Sequence, residues 1–348
     1  MSALRQAIDQ SWPPFVLVAG LLLVGAVAAS DGLFEAAGSR LARLPGGGPV
    51  LFGTLMALTC GVTVVLNLDT AVVFLTPVVL HAARRRQMGE TALLYGTVFL
   101  VNASSLLLPG SNLTNLIVQG SRPVSGAAFA ARMAPAWGAA VVVTVAVVAW
   151  WWRADLRTPE PGPIEVTRWR LGTGAVGVVG ATFAVLVPSR PAVPALVVGI
   201  ACVAAQRALR RLPLRVAWRA VNPPLLAGLF VVAAAVGALG REVGSLGHLT
   251  STTGPWTTAW IGVAAACLVN NLPAAALLSS HAVAHGRALL IGLDLGPNLA
   301  VSGSLSAVLW LRVARAEGAA VSIRRYSAIG AVIVPLSVSA AIAAGGLR

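Results

Sequence analysis

The chain has 348 residues, 57% of them hydrophobic and only 10% charged, with a mean hydropathy of +0.84. A soluble domain of this size needs far more surface charge, and hydrocarbon is the solvent that tolerates such a composition. The net charge of +14 comes from 25 arginines and no lysine, which excludes a Walker A phosphate loop and a Schiff-base enzyme; because the arginines sit in short stretches between apolar runs, no nucleic-acid partner is expected.

Apolar runs of about 17–25 residues, the length that crosses a bilayer, recur along the whole chain. They predict membrane segments at 13–30, 49–81, 92–119, 127–152, 171–188, 192–208, 222–240, 255–283, 287–312 and 326–345. The first is read as a mature span, since no convincing cleavage site follows it. Segment 49–81 is too long for one crossing and carries Asn67 and Asp69 at its middle; segment 255–283 is likewise long, with Asn270, Asn271 and Pro273 at its middle. A polar break inside a long apolar run predicts a hairpin that enters and leaves by one face, its exposed backbone satisfied by protein or water.

The arginines sort the loops. With both long segments as hairpins, one side collects Arg40, Arg43, Arg84–Arg86, Arg153, Arg157, Arg168, Arg170, Arg207, Arg210, Arg211, Arg215, Arg219, Arg312, Arg315, Arg324 and Arg325, which is 18 of 25. The positive-inside rule makes that side cytoplasmic. The hairpins then open to opposite faces, and the halves match in order: a lead-in span, a hairpin, a polar-centred helix and a closing helix. The predicted organisation is a first repeat over 1–152, a cytoplasmic loop with connecting spans over 153–221, its linker the Pro-rich stretch 153–170, and a second, inverted repeat over 222–348. The fold class expected is all-α: a polytopic, inverted-repeat transporter with two re-entrant helical hairpins and two broken helices, its site near the midplane.

The polar residues define the candidate site. In 92–119, Pro109-Gly110 should break the helix, and Asn102, Ser104, Ser105, Ser111, Asn112, Thr114 and Asn115 place seven polar side chains within fourteen residues. Ser111, Asn112 and Thr114 stand where capping residues go, and a half-helix N-terminus inside a membrane offers backbone N–H groups to an anion. Segment 287–312 repeats the design, with Gly296-Pro297-Asn298 as the break and Ser302, Ser304 and Ser306 beyond it. Asp69 and Asp294 are the two acidic residues at mid-membrane depth, one in each half. A carboxyl there is costly and generally functional: it can bind and release a proton or, ionised, help hold sodium. The competing reading makes these carboxyls and asparagines caps of the breaks alone. His281 and His285, at i and i+4, could share a helical face, but no third ligand accompanies them, and interfacial histidines are favoured, His81 and His248 among them. Trp150–Trp152 read as an aromatic belt. Cys60, Cys202 and Cys267 form no CxxC pair and read as small buried hydrophobes. No cofactor or metal site is expected.

Four stretches carry a resemblance: LNLDTAVVFLTPVVL (66–80), NASSLLLPGSNLTNLIV (102–118), LVNNLPAAALL (268–278) and IGLDLGPNLAVSGSLSAVLWLR (291–312). They resemble the arsenite efflux permeases (arsenical pump membrane proteins) of the ion transporter superfamily, which also holds divalent anion–sodium symporters. The resemblance implies a scaffold and a moving transport domain, a homodimer, and a soluble arsenite-stimulated ATPase as a docking partner. It implies substrate binding at Ser111, Asn112 and Thr114 in the first half and at Pro297, Asn298, Ser302 and Ser304 in the second, and the polar residues Asn115, Asn270 and Asn271 join them as candidate substrate-binding residues. Asp69, Asp294 and Asn67 would couple to protons or sodium. The chain departs from the family pattern in Leu68, between Asn67 and Asp69, and in lacking two N-terminal spans. The function expected is proton-coupled export of arsenite or antimonite from the inner membrane. The alternatives are a sodium- or proton-coupled permease for a dicarboxylate or another inorganic anion, an intramembrane enzyme, for which neither a nucleophile–base pair nor a metal cluster is found, and a channel.

Overall fold

The computed structural model describes residues 2–43, 45–120, 124–157, 172–188, 190–243 and 249–347, and these are helical throughout, without strands. His248 and most of the Pro-rich linker lie outside them. Helix α1 (Ala3–Ser30) begins ten residues before the predicted span and runs through Pro13 and Pro14. Helix α2 (Leu33–Leu41) follows, too short to register as a span. Helices α3 (Gly48–Leu66) and α4 (Leu68–Arg85) are separated by Asn67 alone. Helix α5 (Glu90–Ser104) gives way to a 3₁₀ turn (Pro109–Ser111) and the short α6 (Leu113–Gln119), and α7 (Gly126–Trp151) closes the first half.

Between the halves stand α8 (Thr173–Leu186), α9 (Ala192–Ala208) and the eight-residue α10 (Leu214–Val221). The second half comprises α11 (Pro223–Glu242), then α12 (Pro255–Val269) and α13 (Asn271–Leu278), separated by Asn270 alone. Helix α14 (Gly286–Leu295) runs into two 3₁₀ turns (Gly296–Leu299, Val301–Gly303), then α15 (Leu305–Ala316) and α16 (Ile323–Ala344).

Both Asn-split helix pairs fold back on themselves. At the base of the first, the Arg86 Nη1 donates to the Gly46 carbonyl at 3.1 Å. At the base of the second, the Thr250 hydroxyl donates to the Leu278 carbonyl at 3.0 Å. The 19-residue α3 is about 28 Å long, which reaches across a hydrocarbon core of about 30 Å, whereas the eight residues of α13 reach only about 12 Å. Among the described residues, five helical stretches are long and apolar enough to cross a membrane: Ala3–Ser30, Gly48–Leu66, Gly126–Trp151, Leu214–Glu242 (α10 with α11) and Ile323–Ala344.

The helices pack in overlapping sets. Helix α1 lies against α8, α9, α10 and α11, fixed at one end by Asp31, which accepts from the Gly174 N–H at 2.7 Å and from Gln206 Nε2 at 2.5 Å. Helices α3, α4, α5 and α7 pack with one another and with α15 and α16, while α12–α14 pack together, α12 and α14 also against α16; the short α6 lies against α1, α13 and α14, and α13 also packs on α11. Glycines allow the closest crossings. A Cβ at Gly292 of α14 would overlap the Ala259 carbonyl of α12, and one at Gly126 of α7 would overlap the Val185 carbonyl of α8.

Several expectations change. His281 and His285 follow the end of α13 at Leu278 in non-helical chain, so they share no helical face; His281 Nδ1 lies 3.1 Å from the Ser280 hydroxyl. Only Trp150 and Trp151 are outward; Trp152 is buried and stacks on Tyr95 with ring centroids 5.2 Å apart. Local patterning cannot see that partner, which lies 57 residues away in the sequence.

Candidate functional site

The site grows from the two breaks. In the first half the α-helix stops at Ser104, earlier than Pro109 requires, and Asn112 restarts it. The Asn112 Oδ1 accepts from the Thr114 N–H at 3.1 Å as an N-cap, as sequence reading assigns to this stretch. Asn115 Nδ2 then satisfies two carbonyls that the break leaves without helical partners, Ser105 at 2.8 Å and Leu108 at 3.0 Å. In the second half the helix stops at Leu295, and Ser304 restarts it by accepting from the Ala307 N–H at 3.2 Å.

The two breaks meet. Asn112 is 4% exposed, and its Nδ2 donates to Asp294 Oδ1 at 2.9 Å, joining residues 182 positions apart. The Ser105 hydroxyl, whose short bond goes to the Asn102 carbonyl at 2.8 Å, lies 3.5 Å from Asp294 Oδ2. Asp294 is fully buried, and its partners are neutral donors. Asn102 Nδ2 donates to Asn298 Oδ1 at 2.8 Å, and Asn298 Nδ2 donates to the Phe99 carbonyl at 3.1 Å. Ser304 and Ser306 share a hydrogen bond of 2.9 Å, and the Ser306 hydroxyl lies 3.4 Å from Asn102 Oδ1. Tyr326 of α16 donates its hydroxyl to the Pro297 carbonyl at 2.9 Å, which holds the second break in place.

Each hairpin tip touches the break of its own half. The Ser111 hydroxyl donates to the Val64 carbonyl, three residues before the first tip, at 2.9 Å; Asn270 Nδ2, at the second tip, donates to the Ser302 carbonyl at 3.0 Å. The tips share a backbone device. Asn67 has φ +134° and Asn270 φ +80°, values that L residues rarely adopt, and each caps the helix it starts: Asn67 Oδ1 accepts from Thr70 N–H at 2.8 Å, Asn270 Oδ1 from Leu272 N–H at 3.3 Å. Cys267 donates to the Gly296 carbonyl at 3.3 Å, and Cys60 lies against Ser104.

The polar residues differ in access. Ser111, Asn112, Thr114, Asn115, Asn271, Pro297, Asn298 and Ser304 are buried, Asn270 is half-buried and Ser302 is exposed. Among the described residues, the buried side-chain atoms without a hydrogen-bond partner include Asn67 Nδ2, Thr70 Oγ1, Ser104 Oγ, Thr114 Oγ1 and Asn115 Oδ1, with Gln119 Nε2, Trp137 Nε1 and Gln206 Oε1 elsewhere. Each costs about 1–3 kcal/mol unless something satisfies it, and the first five belong to the first hairpin tip or the first break. Asp69 is separate from this centre. It is half-buried in the first turn of α4, where a carboxylate suits the helix dipole, and no hydrogen bond ties it to Asp294. Missed by sequence reading were Ser105, Asn102 and Tyr326 as members of the centre. Asn102 and Ser105 were counted as polar, but their partners lie in the other half.

The hairpin tips predict a mutational asymmetry. Asn67→Gly keeps the backbone free to adopt φ +134° and should cost only about a few tenths of a kcal/mol, whereas Asn67→Ala loses the cap, about 0.5–2 kcal/mol, and adds strain of about 1–3 kcal/mol. Thermal unfolding in detergent should give a lower midpoint for Asn67→Ala than for Asn67→Gly. Equal midpoints would remove the strain account.

Apolar helices long enough to span a bilayer, with a carboxylate and its amide partners enclosed between two interrupted segments, define a multi-pass membrane transporter. The fold agrees: the crystal structure of the YdaH transporter of Alcanivorax borkumensis superposes with a TM-score of 0.63 at 15% identity, covering 99% of this chain and 86% of that one. The chain belongs to the CitMHS citrate transporter family, whose model matches residues 4–303, and it is therefore a transport protein and not an enzyme. It is 26% identical to the inner membrane protein YbiR of Escherichia coli K12, over 88% of this chain and 81% of that protein. It is 24% identical to the arsenical pump membrane protein of the same organism, over 97% and 86% respectively.

Proposed function

We propose that the chain is a secondary active transporter of the inner membrane that exports arsenite or antimonite, as the neutral hydroxide, in exchange for protons. The observation that carries this reading is the composition of the enclosed centre. Asp294 meets only amide and hydroxyl groups, and no arginine bonds into the centre among the described residues. A permanently charged anion would need a fixed counter-charge at this depth, whereas a small neutral polyhydroxide needs the donors and acceptors that are there. Ser111, Asn112, Thr114, Asn115, Asn270, Asn271, Pro297, Asn298, Ser302 and Ser304 ring the substrate. Asp294 takes up the exchanged proton, and taking it up removes a charge that is costly to bury. Asp69 and Asn67 serve the same coupling at the first hairpin tip. Support comes also from the similarity to the arsenical pump membrane protein over 97% of this chain.

The second reading, coupled movement of a citrate-like carboxylate, rests on the family to which the chain belongs. Everted vesicles separate the two. Arsenite, antimonite, phosphate, sulfate, citrate and succinate would be offered with proton and sodium gradients imposed separately. Arsenite accumulation driven by an acidic interior and indifferent to sodium is the expected result. Citrate uptake without arsenite uptake under any gradient would overturn the proposal.

The inverted arrangement of two re-entrant hairpins, and with it alternating access, is part of the same reading. In its support, the base of the first hairpin, at Gly46 and Arg86, lies at the arginine-rich end of the molecule, where Arg84 also pairs with Glu90 at 2.7 Å and bonds the Glu317 carbonyl. The base of the second, at Thr250 and Leu278, adjoins Ala284 and the end where Arg287 bonds the Arg132 and Gly345 carbonyls. In a cysteine-free background, single cysteines replacing Arg85 and Glu242 should label from opposite faces of the membrane. Labelling of both from one face would contradict the inversion.

A further inference from the structure

We propose that the turn between α9 and α10, together with α10, binds the headgroup of an anionic phospholipid at the arginine-rich face of the membrane. The turn forms a half-open pocket of about 410 Å³ lined by Arg207, Arg210, Leu212 and Pro213. Arg211, Arg215 and Arg219 follow within the next nine residues, and all five guanidinium groups are exposed. The ion pairs among the described residues, Arg84 with Glu90 and His81 with Glu317, involve none of them. The carbonyls at the end of α9 attract one cation such as Arg207, but a helix terminus does not account for five in thirteen residues.

Helix α10 gives the cluster its place in the membrane. Leu214, Ala217, Trp218 and Val221 fall on one arc of the helix, with Arg215 and Arg219, at i and i+4, beside it. Ala217 and the preceding Leu212 are buried with Val27 of α1 and Val203 of α9, which anchors the helix to the α1–α9 body. Leu214 and Trp218 remain 56% and 62% exposed. An apolar, Trp-bearing arc flanked by arginines at the end of a membrane span matches the acyl–headgroup boundary, with the side chains in the lipid and the guanidinium groups at phosphate depth. Arg210 itself sits at φ +54°, the left-handed conformation in which glycine or asparagine commonly ends a helix. An arginine there turns the chain from α9 into α10 and lines the cavity, where a less strained residue would serve the turn alone.

The ligand class follows from the chemistry: a phosphate, for which arginine offers paired donors, attached to acyl chains that cover Leu214 and Trp218. The test uses the full chain, purified in neutral detergent and measured by native mass spectrometry with phosphatidylglycerol, cardiolipin and phosphatidylcholine, and repeated in nanodiscs. Wild-type protein should retain the anionic lipids about tenfold or more over phosphatidylcholine, and Arg207→Gln/Arg210→Asn should reduce that preference to about twofold or less. Asparagine suits the left-handed position, so the variant should keep the wild-type melting temperature. Trp218→Ala should weaken retention of all lipids while leaving the headgroup preference. Equal retention of anionic and zwitterionic lipid, an unchanged preference in the double variant, or full displacement of the lipid by millimolar inorganic phosphate would overturn the proposal, the last by making the cavity a free-anion site.

Discussion

Asp294→Asn is expected to abolish proton-driven transport while leaving the protein folded in the membrane. The amide has the shape of the carboxyl, so its oxygen still accepts from Asn112 Nδ2, now at 2.9 Å, and its nitrogen faces the Ser105 hydroxyl, now 3.5 Å from the carboxyl. What disappears is the ability to change charge. Hydrogen bonds to a charged group contribute about 1.5–3 kcal/mol, and the upper figure corresponds to about a 100-fold loss of rate. The measurement is substrate accumulation in everted vesicles under an imposed proton gradient, with the amount of protein in the membrane measured in parallel. Normal proton coupling in this variant would remove Asp294 from the mechanism, and a variant absent from the membrane would make the carboxyl structural.

Gly330→Ala is expected to lower both the stability and the transport of the protein. Gly330 lies in α16 one turn after Tyr326, and together they seat the 3₁₀ turn at Gly296–Leu299. A Cβ at Gly330 would overlap the Asn298 carbonyl oxygen and lie 3.0 Å from Leu299 Cα. These are backbone atoms, so the turn must move, and overpacking of this kind typically costs about 1–3 kcal/mol. Moving the turn also withdraws Asn298 from Asn102, now 2.8 Å away, and loosens the junction between the halves. The expected outcome is a lower melting temperature in detergent together with transport reduced beyond the loss of protein. Wild-type melting and transport would show that the turn does not depend on this close approach.

How much of this was legible in the sequence depends on the range of each interaction. Pro109-Gly110 and Gly296-Pro297 mark their breaks because proline and glycine act locally, and Asn67 and Asn270 stand out as polar residues centred in long apolar runs. The actual breaks are wider, since the α-helices end at Ser104 and Leu295 and resume at Leu113 and Leu305. The predicted span begins at residue 13, but α1 starts at Ala3 and runs through Pro13 and Pro14, its packing against α9 and α11 outweighing the lost backbone donors. The bond from Asn112 to Asp294 has no local signature, because it depends on how two halves pack. Helix α10 escaped for another reason: eight amphipathic residues are too few to register as an apolar span. Asp69 and Asp294 look equivalent in sequence, yet Asp294 is fully buried and bonded by Asn112 of the other half, while Asp69 is half-buried.

The central claim is that the two interrupted segments form one shared binding centre. It is tested most directly by the concentration dependence of transport in proteoliposomes for Asn112→Ala, from the first break, and Asn298→Ala, from the second. Each removes one of the side chains that join the halves. The account predicts that both variants insert at wild-type levels and that both lose kcat/KM by about tenfold or more, the effect of one or two buried hydrogen bonds. Wild-type kcat/KM in either variant would contradict it.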